Sequence, residues 1–218
     1  MLSFTEENYL KALLRLTVDH SEKSDAGTNE IAGYLKVKPA TATDMLKKLK
    51  EKKLVDYEKY GKITLTQLGK GKAIDIVRRH RLWETFLHDK LDFSWDEVHD
   101  IAEQLEHIRS QKLIDKLDQY LGFPEFDPHG DAIPNAHGEM RLPFTKTLAD
   151  ASPQTECKII AVKDNTPTFL QYVTKLGLAI NTPVKVLEKQ AFDESMELEV
   201  SERTITVSKK FAENILIG

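Results

Sequence analysis

Cysteine is nearly absent: the 218 residues contain one, Cys157. A single thiol closes no disulfide within the chain and builds no thiolate zinc site, so any metal centre must draw on imidazole and carboxylate. Long apolar runs are missing too, and nothing approaches the roughly 18 consecutive apolar residues that span a bilayer. The opening Met-Leu-Ser-Phe-Thr-Glu-Glu has neither the basic flank nor the apolar run of a signal peptide, so the expected location is cytoplasmic, with no membrane partner. Repeats and low-complexity tracts are absent. Charged residues make up 30% and hydrophobic ones 40%, the balance of a folded chain rather than a disordered one.

Net charge is −4, which taken whole argues against a polyanionic partner. The charge is unevenly placed. Residues 1–72 carry 14 Lys/Arg against 10 Asp/Glu, net +4, and the remainder 17 against 25, net −8. Such asymmetry suggests a polyanion-binding end and an acidic remainder. Seven lysines (36, 38, 47, 48, 50, 52, 53) fall within 36–53, opposed only by Asp44 and Glu51. A charge cluster alone is as compatible with a solvated helix face, so spacing has to decide.

Ser3-x-x-Glu6 is a capping box, and Tyr9, Leu10, Leu13, Leu14 and Leu16 follow at helical spacing, predicting a helix over 4–18. Thr28 caps a short helix carrying Ile31, Ala32 and Leu35. After a Lys-Val-Lys turn, Pro39 sits where the next helix should begin. Ala42, Met45, Leu46 and Leu49 give that helix an apolar stripe, with the lysines largely off it. Leu54–Tyr57 and Ile63–Leu65 flank Gly61 as a hairpin. Helix, helix, turn, helix, hairpin is the order of a winged helix-turn-helix that binds double-stranded DNA. Its third helix would place Pro39, Ala40, Thr41, Thr43 and Asp44 near bases and Lys47, Lys48 and Lys50 near phosphates, with Lys36 and Lys38 in the preceding turn. The alternative is a winged helix used only for protein contacts.

From Thr66 an apolar periodic pattern runs to about residue 90. A second helix opens with the capping box Ser94-x-x-Glu97 and continues to about 109, and a third covers 110–121 before Gly122 and Pro124. These helices are too apolar on one face to stand alone, and a symmetry mate is the simplest cover, giving a homodimer. Five of the eight prolines lie between 124 and 153, a turn-rich linker. Beyond Cys157 come β-rich runs at 158–162, 184–187, 196–200 and 204–207, with a helix at about 167–176 between the first two, as in a small β-barrel. The expected fold is multidomain α+β: a winged helix-turn-helix (1–72), a central helical dimerisation domain (73–140), a linker (141–155) and an SH3-like barrel (156–218).

On a helical wheel with Val98 at zero, Ile101, Ala102, Leu105 and Ile108 form the core stripe. Glu106, His99, Glu103 and His107 fall at about 80°, 100°, 140° and 180°, one contiguous stripe of two imidazoles and two carboxylates. On the preceding helix His80 and Glu84 point into the apolar face, where a buried carboxylate and imidazole need an ion pair or a cation. Together these residues make a mixed nitrogen and oxygen set suited to manganese, ferrous iron, cobalt, nickel or zinc. Each half alone is more often a solvated face or an ion pair, and only the conjunction points to metal. His20, His88, His129 and His137 have no short-range partners and read as surface or loop residues. Trp83 and Trp95 read as packing residues, and Cys157 as a small hydrophobe.

At these residues the chain resembles the iron- and manganese-dependent repressors of the diphtheria toxin repressor family. The likeness runs through Pro39 at the head of the recognition helix, His80-Arg81-Leu82-Trp83-Glu84, His99 to His107 and Asp127-Pro128-His129-Gly130-Asp131-Ala132-Ile133-Pro134. The last third is more loosely similar to the SH3-like domain of the longer members. The resemblance implies one metal site at His80, Glu84 and His99, and a regulatory one at Glu103, Glu106 and His107 with a first-helix residue. Glu103 stands where iron-responsive members carry Cys, which implies the manganese-responsive branch, as does Tyr57-Glu58-Lys59-Tyr60. The first-helix ligand of that branch is an Asp, replaced here by Asn8, and a second carboxylate is replaced by Lys11. Gln171 would correspond to a ligand that the SH3-like domain donates in some members.

The expected function is a homodimeric, metal-dependent transcriptional regulator, a repressor of manganese or iron uptake genes acting at a palindromic operator. Mn(II) or Fe(II) is the corepressor; Zn(II), Co(II) or Ni(II) can occupy the sites in vitro. No enzyme activity and no small organic substrate are expected. Two rivals stand beside it: a winged-helix regulator answering an organic ligand, and a di-metal carboxylate oxidase, which would need ligands from four helices where two supply them here.

Overall fold

The computed structural model describes residues 2–19, 25–57, 62–141 and 144–218. The chain forms two compact units, one of Met1–His80, Glu103–Lys116 and Ile133–Arg141, the other of Arg81–Ala102, Leu117–Ala132 and Leu142–Gly218.

In the first unit, helix α1 (Phe4–Leu14) opens with the expected capping box: the Glu6 N–H donates to Ser3 Oγ and the Ser3 N–H to Glu6 Oε2. Beyond Leu14 the helix widens into a π-turn, Arg15–Asp19, rather than continuing as α-helix. Thr17 Oγ1 donates to the Leu13 carbonyl at 2.7 Å, a side-chain bond of the kind that competes with the backbone ladder and bends it. Helix α2 (Thr28–Tyr34) begins at Thr28 itself, with Gly27 and not Thr28 as N-cap, the Gly27 N–H donating to Glu30. Lys36 takes a positive φ of 53° in the tight turn before α3 (Pro39–Glu51), which Pro39 opens at its first turn. Strands β1 (Val55–Tyr57) and β2 (Ile63–Leu65) pair antiparallel, Tyr57 opposite Ile63, and Ala26 bridges Ile63 from the other side. The hairpin tip, with the expected turn at Gly61 and residues 58–60, lies outside the described residues, as does His20.

Leu10, Leu13, Leu14, Ile31, Leu46, Leu49 and Ile63 are fully buried in one core, each stabilising the unit by roughly 1.5–3 kcal/mol. Helix α4 (Gln67–Leu91) starts where Thr66 Oγ1 accepts from the Gly69 N–H. Gly69 lies so close to the Leu54 backbone that an added Cβ would fall 1.8 Å from its carbonyl oxygen, so the glycine seats α4 against β1's approach.

Helix α5 (Val98–Leu105) is shorter than the spacing predicts at both ends. The expected Ser94–Glu97 capping box is only half made: Ser94 N–H and Oγ both donate to Glu97 Oε2, but the Glu97 N–H goes to the Ser94 carbonyl and not to its Oγ, and regular helix begins only after it. At the other end Arg79 Nε takes the Glu106 carbonyl, so Glu106 and His107 sit in a turn and not on the helix. Helix α6 (Gln111–Tyr120) stops just before Gly122, whose φ is +78°.

The second unit carries a five-stranded antiparallel sheet in the order β6-β5-β4-β3-β7, with β3 at Glu156–Val162, β4 at Pro183–Lys189, β5 at Met196–Val200, β6 at Arg203–Val207 and β7 at Ile215–Ile217. Helix α7 (Pro167–Lys175) joins β3 to β4, and the single turn α8 (Lys209–Ala212) precedes β7. Ile159, Leu170, Val173, Val186, Met196, Leu198 and Ile215 fill its core, with Trp95 packed against it and Trp95 Nε1 donating to Thr174. Strand β7 has no sequence signal of its own: three apolar residues are too few for a period, and its pairing with β3 defines it. Cys157 is half-buried, its thiol against the Val184 carbonyl at 3.6 Å. Among the described residues no helix is long and apolar enough to cross a membrane.

Candidate metal centre

Within the first unit, α1 supplies Glu7, α4 His80, α5 Glu103, and the turn after α5 Glu106 and His107. Glu106, completely buried, accepts from Lys11 Nζ at 2.7 and 2.9 Å and lies 2.6 Å from His80 Nδ1. The same ammonium donates to Glu103. Burial pushes the Glu106 carboxyl up, but His80 and Lys11 outweigh it and hold the group below the ordinary carboxylate range. His107 Nδ1 bonds Glu7 Oε2 at 2.7 Å, and its ring stacks on Phe4 at 4.2 Å. Arg109 and Arg79 reach Glu7 at 3.1 and 3.7 Å. Each imidazole thus has its Nδ1 bonded to a carboxylate.

The first-helix residue with a carboxylate here is Glu7, which sequence reasoning passed over in favour of Asn8. Its register was the available signal: Glu7 lies one turn before Lys11, so both share the face of α1 turned to Glu103 and Glu106. Asn8 Oδ1 is buried without a hydrogen-bond partner, a carbonyl oxygen suited to a cation. The donor chemistry of Glu103, Glu106 and His107 therefore suits a divalent ion, while Lys11 between the two carboxylates does not.

In the second unit Glu84 lies between two imidazoles, 3.1 Å from His99 Nδ1 and 3.8 Å from His129 Nδ1. His129, expected as a surface or loop residue, lies in a turn but is 1% exposed in its side chain, with Nε2 bonded to the Trp95 carbonyl at 2.7 Å. Its burial follows from the turn at 127–131: Asp127 Oδ1 accepts from the His129 and Asp131 N–H groups, and Gly130, φ +85°, lets the turn lie against Ile160 and Ala161 of β3. Asp-Pro-His-Gly is a turn signature, and the wheel arguments, confined to helices, could not reach it. Glu84, Asp127 and His129 offer donor atoms within 4.8 Å of one another, all buried, and Asp127 Oδ2 and His129 Nδ1 make no hydrogen bond. Burial works to lower the His129 pKa, but the charges of Glu84 and Asp127 and the bond to the Trp95 carbonyl raise it to about 9. Burial, with Asp131 and Glu84, pushes the Asp127 carboxyl up to about 7, against the pull of Arg81 at 3.8 Å. Gln171 does not join this group: its amide donates to Asp96 Oδ2 at 2.8 Å.

On the side expected to meet DNA, Lys36, Lys38, Pro39, Ala40, Thr41, Asp44, Lys47 and Lys48 are exposed, and Thr43 is half-buried with its hydroxyl bonded to the Pro39 carbonyl. Lys47 pairs with Asp44 at 3.2 Å, an exposed contact easily exchanged for a phosphate. Lys50 is exposed as well. Its Nζ donates to the Tyr57 carbonyl at 2.6 Å and so ties α3 to β1.

Family models cover nearly the whole chain: the N-terminal DNA-binding domain of iron-dependent repressors at 1–63, their metal-binding and dimerisation domain at 66–135, and a FeoA domain at 146–218. The HTH-type transcriptional regulator MntR of Bacillus pumilus is 33% identical over 119 residues, 55% of this chain and 80% of that protein. The chain belongs to the diphtheria toxin repressor family. A solved manganese-dependent transcriptional repressor in complex with manganese matches at 33% identity with a TM-score of 0.87, covering 97% of this chain and 98% of that one. A probable metal transport system membrane protein of Chlamydia trachomatis is 45% identical over 71 residues, and the chain covers only 16% of its length. The family comprises metal-dependent DNA-binding repressors and not enzymes, which sets aside the carboxylate oxidase reading. Its architecture of DNA-binding, helical dimerisation and SH3-like domains is the one expected from the sequence.

Proposed function

We propose that this chain is a cytoplasmic, homodimeric transcriptional repressor of manganese or iron uptake genes, activated by Mn(II) or Fe(II) and bound to a palindromic operator. The observation that carries the reading is the buried Glu84 carboxylate 3.1 Å from the His99 imidazole, in a chain whose α3 exposes a basic and polar N-terminal face. By the resemblance, His80, one turn before Glu84 on α4, would supply a second imidazole to a nitrogen and oxygen set typical of manganese, iron or zinc. A metal held by Glu84 and His99 would neutralise the buried carboxylate and link the two helices that carry them. In the dimer that would hold the two recognition helices near one DNA turn apart, about 34 Å. Metal must then bind the DNA-competent spacing more tightly, and about 5.5 kcal/mol of difference moves the population from 1% to 99%.

The test is fluorescence anisotropy on a palindromic operator fragment with Mn(II) and with chelator. Metal-dependent binding that Glu84→Ala abolishes is the expected outcome. Equal affinity in the chelated sample would sink the proposal and favour the organic-ligand rival.

A further inference from the structure

Three carboxylates in the first unit meet three side-chain cations. Glu7 has Arg79 and Arg109; Glu103 and Glu106 share Lys11. An ammonium has three protons to donate, and three carboxylate oxygens, Glu103 Oε1 and both of Glu106, receive them. The Lys11 side chain is 14% exposed, so this is a sheltered cation with its donor capacity filled. A divalent ion bound by the same oxygens would stand within contact distance of a fixed positive charge.

We propose that Lys11 is the resident cation of the Glu103–Glu106 constellation, permanently filling the position of a regulatory metal. The inference rests on the proposed function, because it assigns metal control to the His80, Glu84 and His99 centre alone. Lys11 links α1 of the DNA-binding part to the turn after α5 whether or not metal is present. Part of the coupling that a second ion would supply on demand is therefore built into the chain. The chain binds one activating ion where two carboxylates without Lys11 would admit another.

Equilibrium dialysis of the chelator-stripped full chain against Co(II), with metal counted per chain, tests this. Wild type should hold one ion and Lys11→Glu two, and in Lys11→Glu/His99→Ala one should remain. Two ions on the wild type would overturn the inference and leave the proposed function standing. None would remove the proposed function, and this inference with it. Lys11→Gln, uncharged and of similar length, is measured in parallel, and folded variants that still hold a single ion would overturn the inference. If both variants unfold in chelator, their refolding on addition of Co(II) supports the resident-cation role, and failure to refold refutes it.

Discussion

Glu106→Gln removes one negative charge from a side chain with no solvent exposure and three contacts, two to Lys11 and one to His80. Truncating one member of a buried pair costs about 3–5 kcal/mol, because the partner charge is left without compensation. Two features lower that figure. Glu103, about a third exposed, still accepts from Lys11, and glutamine keeps the shape and one acceptor. The expected loss is about 2–4 kcal/mol. With a slope near 3 kcal/mol per molar urea, the midpoint should fall by about 1 M, read by far-ultraviolet circular dichroism in chelator at pH 7. The pH dependence supplies an internal control. Glu106 titrates below its usual 4.5, so its contribution is complete above that value and is lost as pH falls through the lower folded value. The gap between wild type and variant should therefore close in acid. A midpoint at pH 7 within about 0.2 M of wild type would show that Lys11 and His80 need no charge at this position and would refute the reasoning.

Two other perturbations follow from the same geometry. Lys48→Ala should weaken operator and random-sequence DNA alike and reduce the slope of log K against log salt by about 0.9; an unchanged slope would mean that Lys48 meets no phosphate. His129 is raised from 6.5 to about 9, so its stabilisation is present in full below 6.5 and lost as pH rises through 9. Melting temperatures of metal-free wild type should fall between pH 7 and 10 relative to His129→Gln, and parallel profiles would show that Glu84 does not hold a proton on the ring.

The helices and the ligand types were legible because both rest on local spacing. Leu10, Leu13 and Leu14 mark α1, Leu46 and Leu49 mark α3, and the capping residues Ser3 and Pro39 set the starts. What escaped depends on partners distant in sequence. Extending α5 to residue 109 required ignoring Arg79, which lies 27 positions before the Glu106 carbonyl that it captures. His129 could not be placed without β3, against which Gly130 packs, and β7 acquires meaning only beside Ile159 and Val162. Glu7 is adjacent to Asn8, and a one-residue difference on a helix is 100° of rotation, so the bond from His107 to Glu7 needed the neighbouring turn in view.

Lys50 was one of three lysines assigned to phosphates, yet it spends its ammonium on the Tyr57 carbonyl. As operators change, the lysines at 47 and 48 can be exchanged for other polar residues with a graded cost in affinity, each acting as an independent point charge. Position 50 carries a second duty, because the same ammonium joins α3 to β1. Replacing it by alanine would remove a charge and an α3–β1 contact together, so its lost affinity would mix the two. The salt dependence separates them: a slope that falls by about 0.9 marks a phosphate contact, and an unchanged slope marks a role in holding α3.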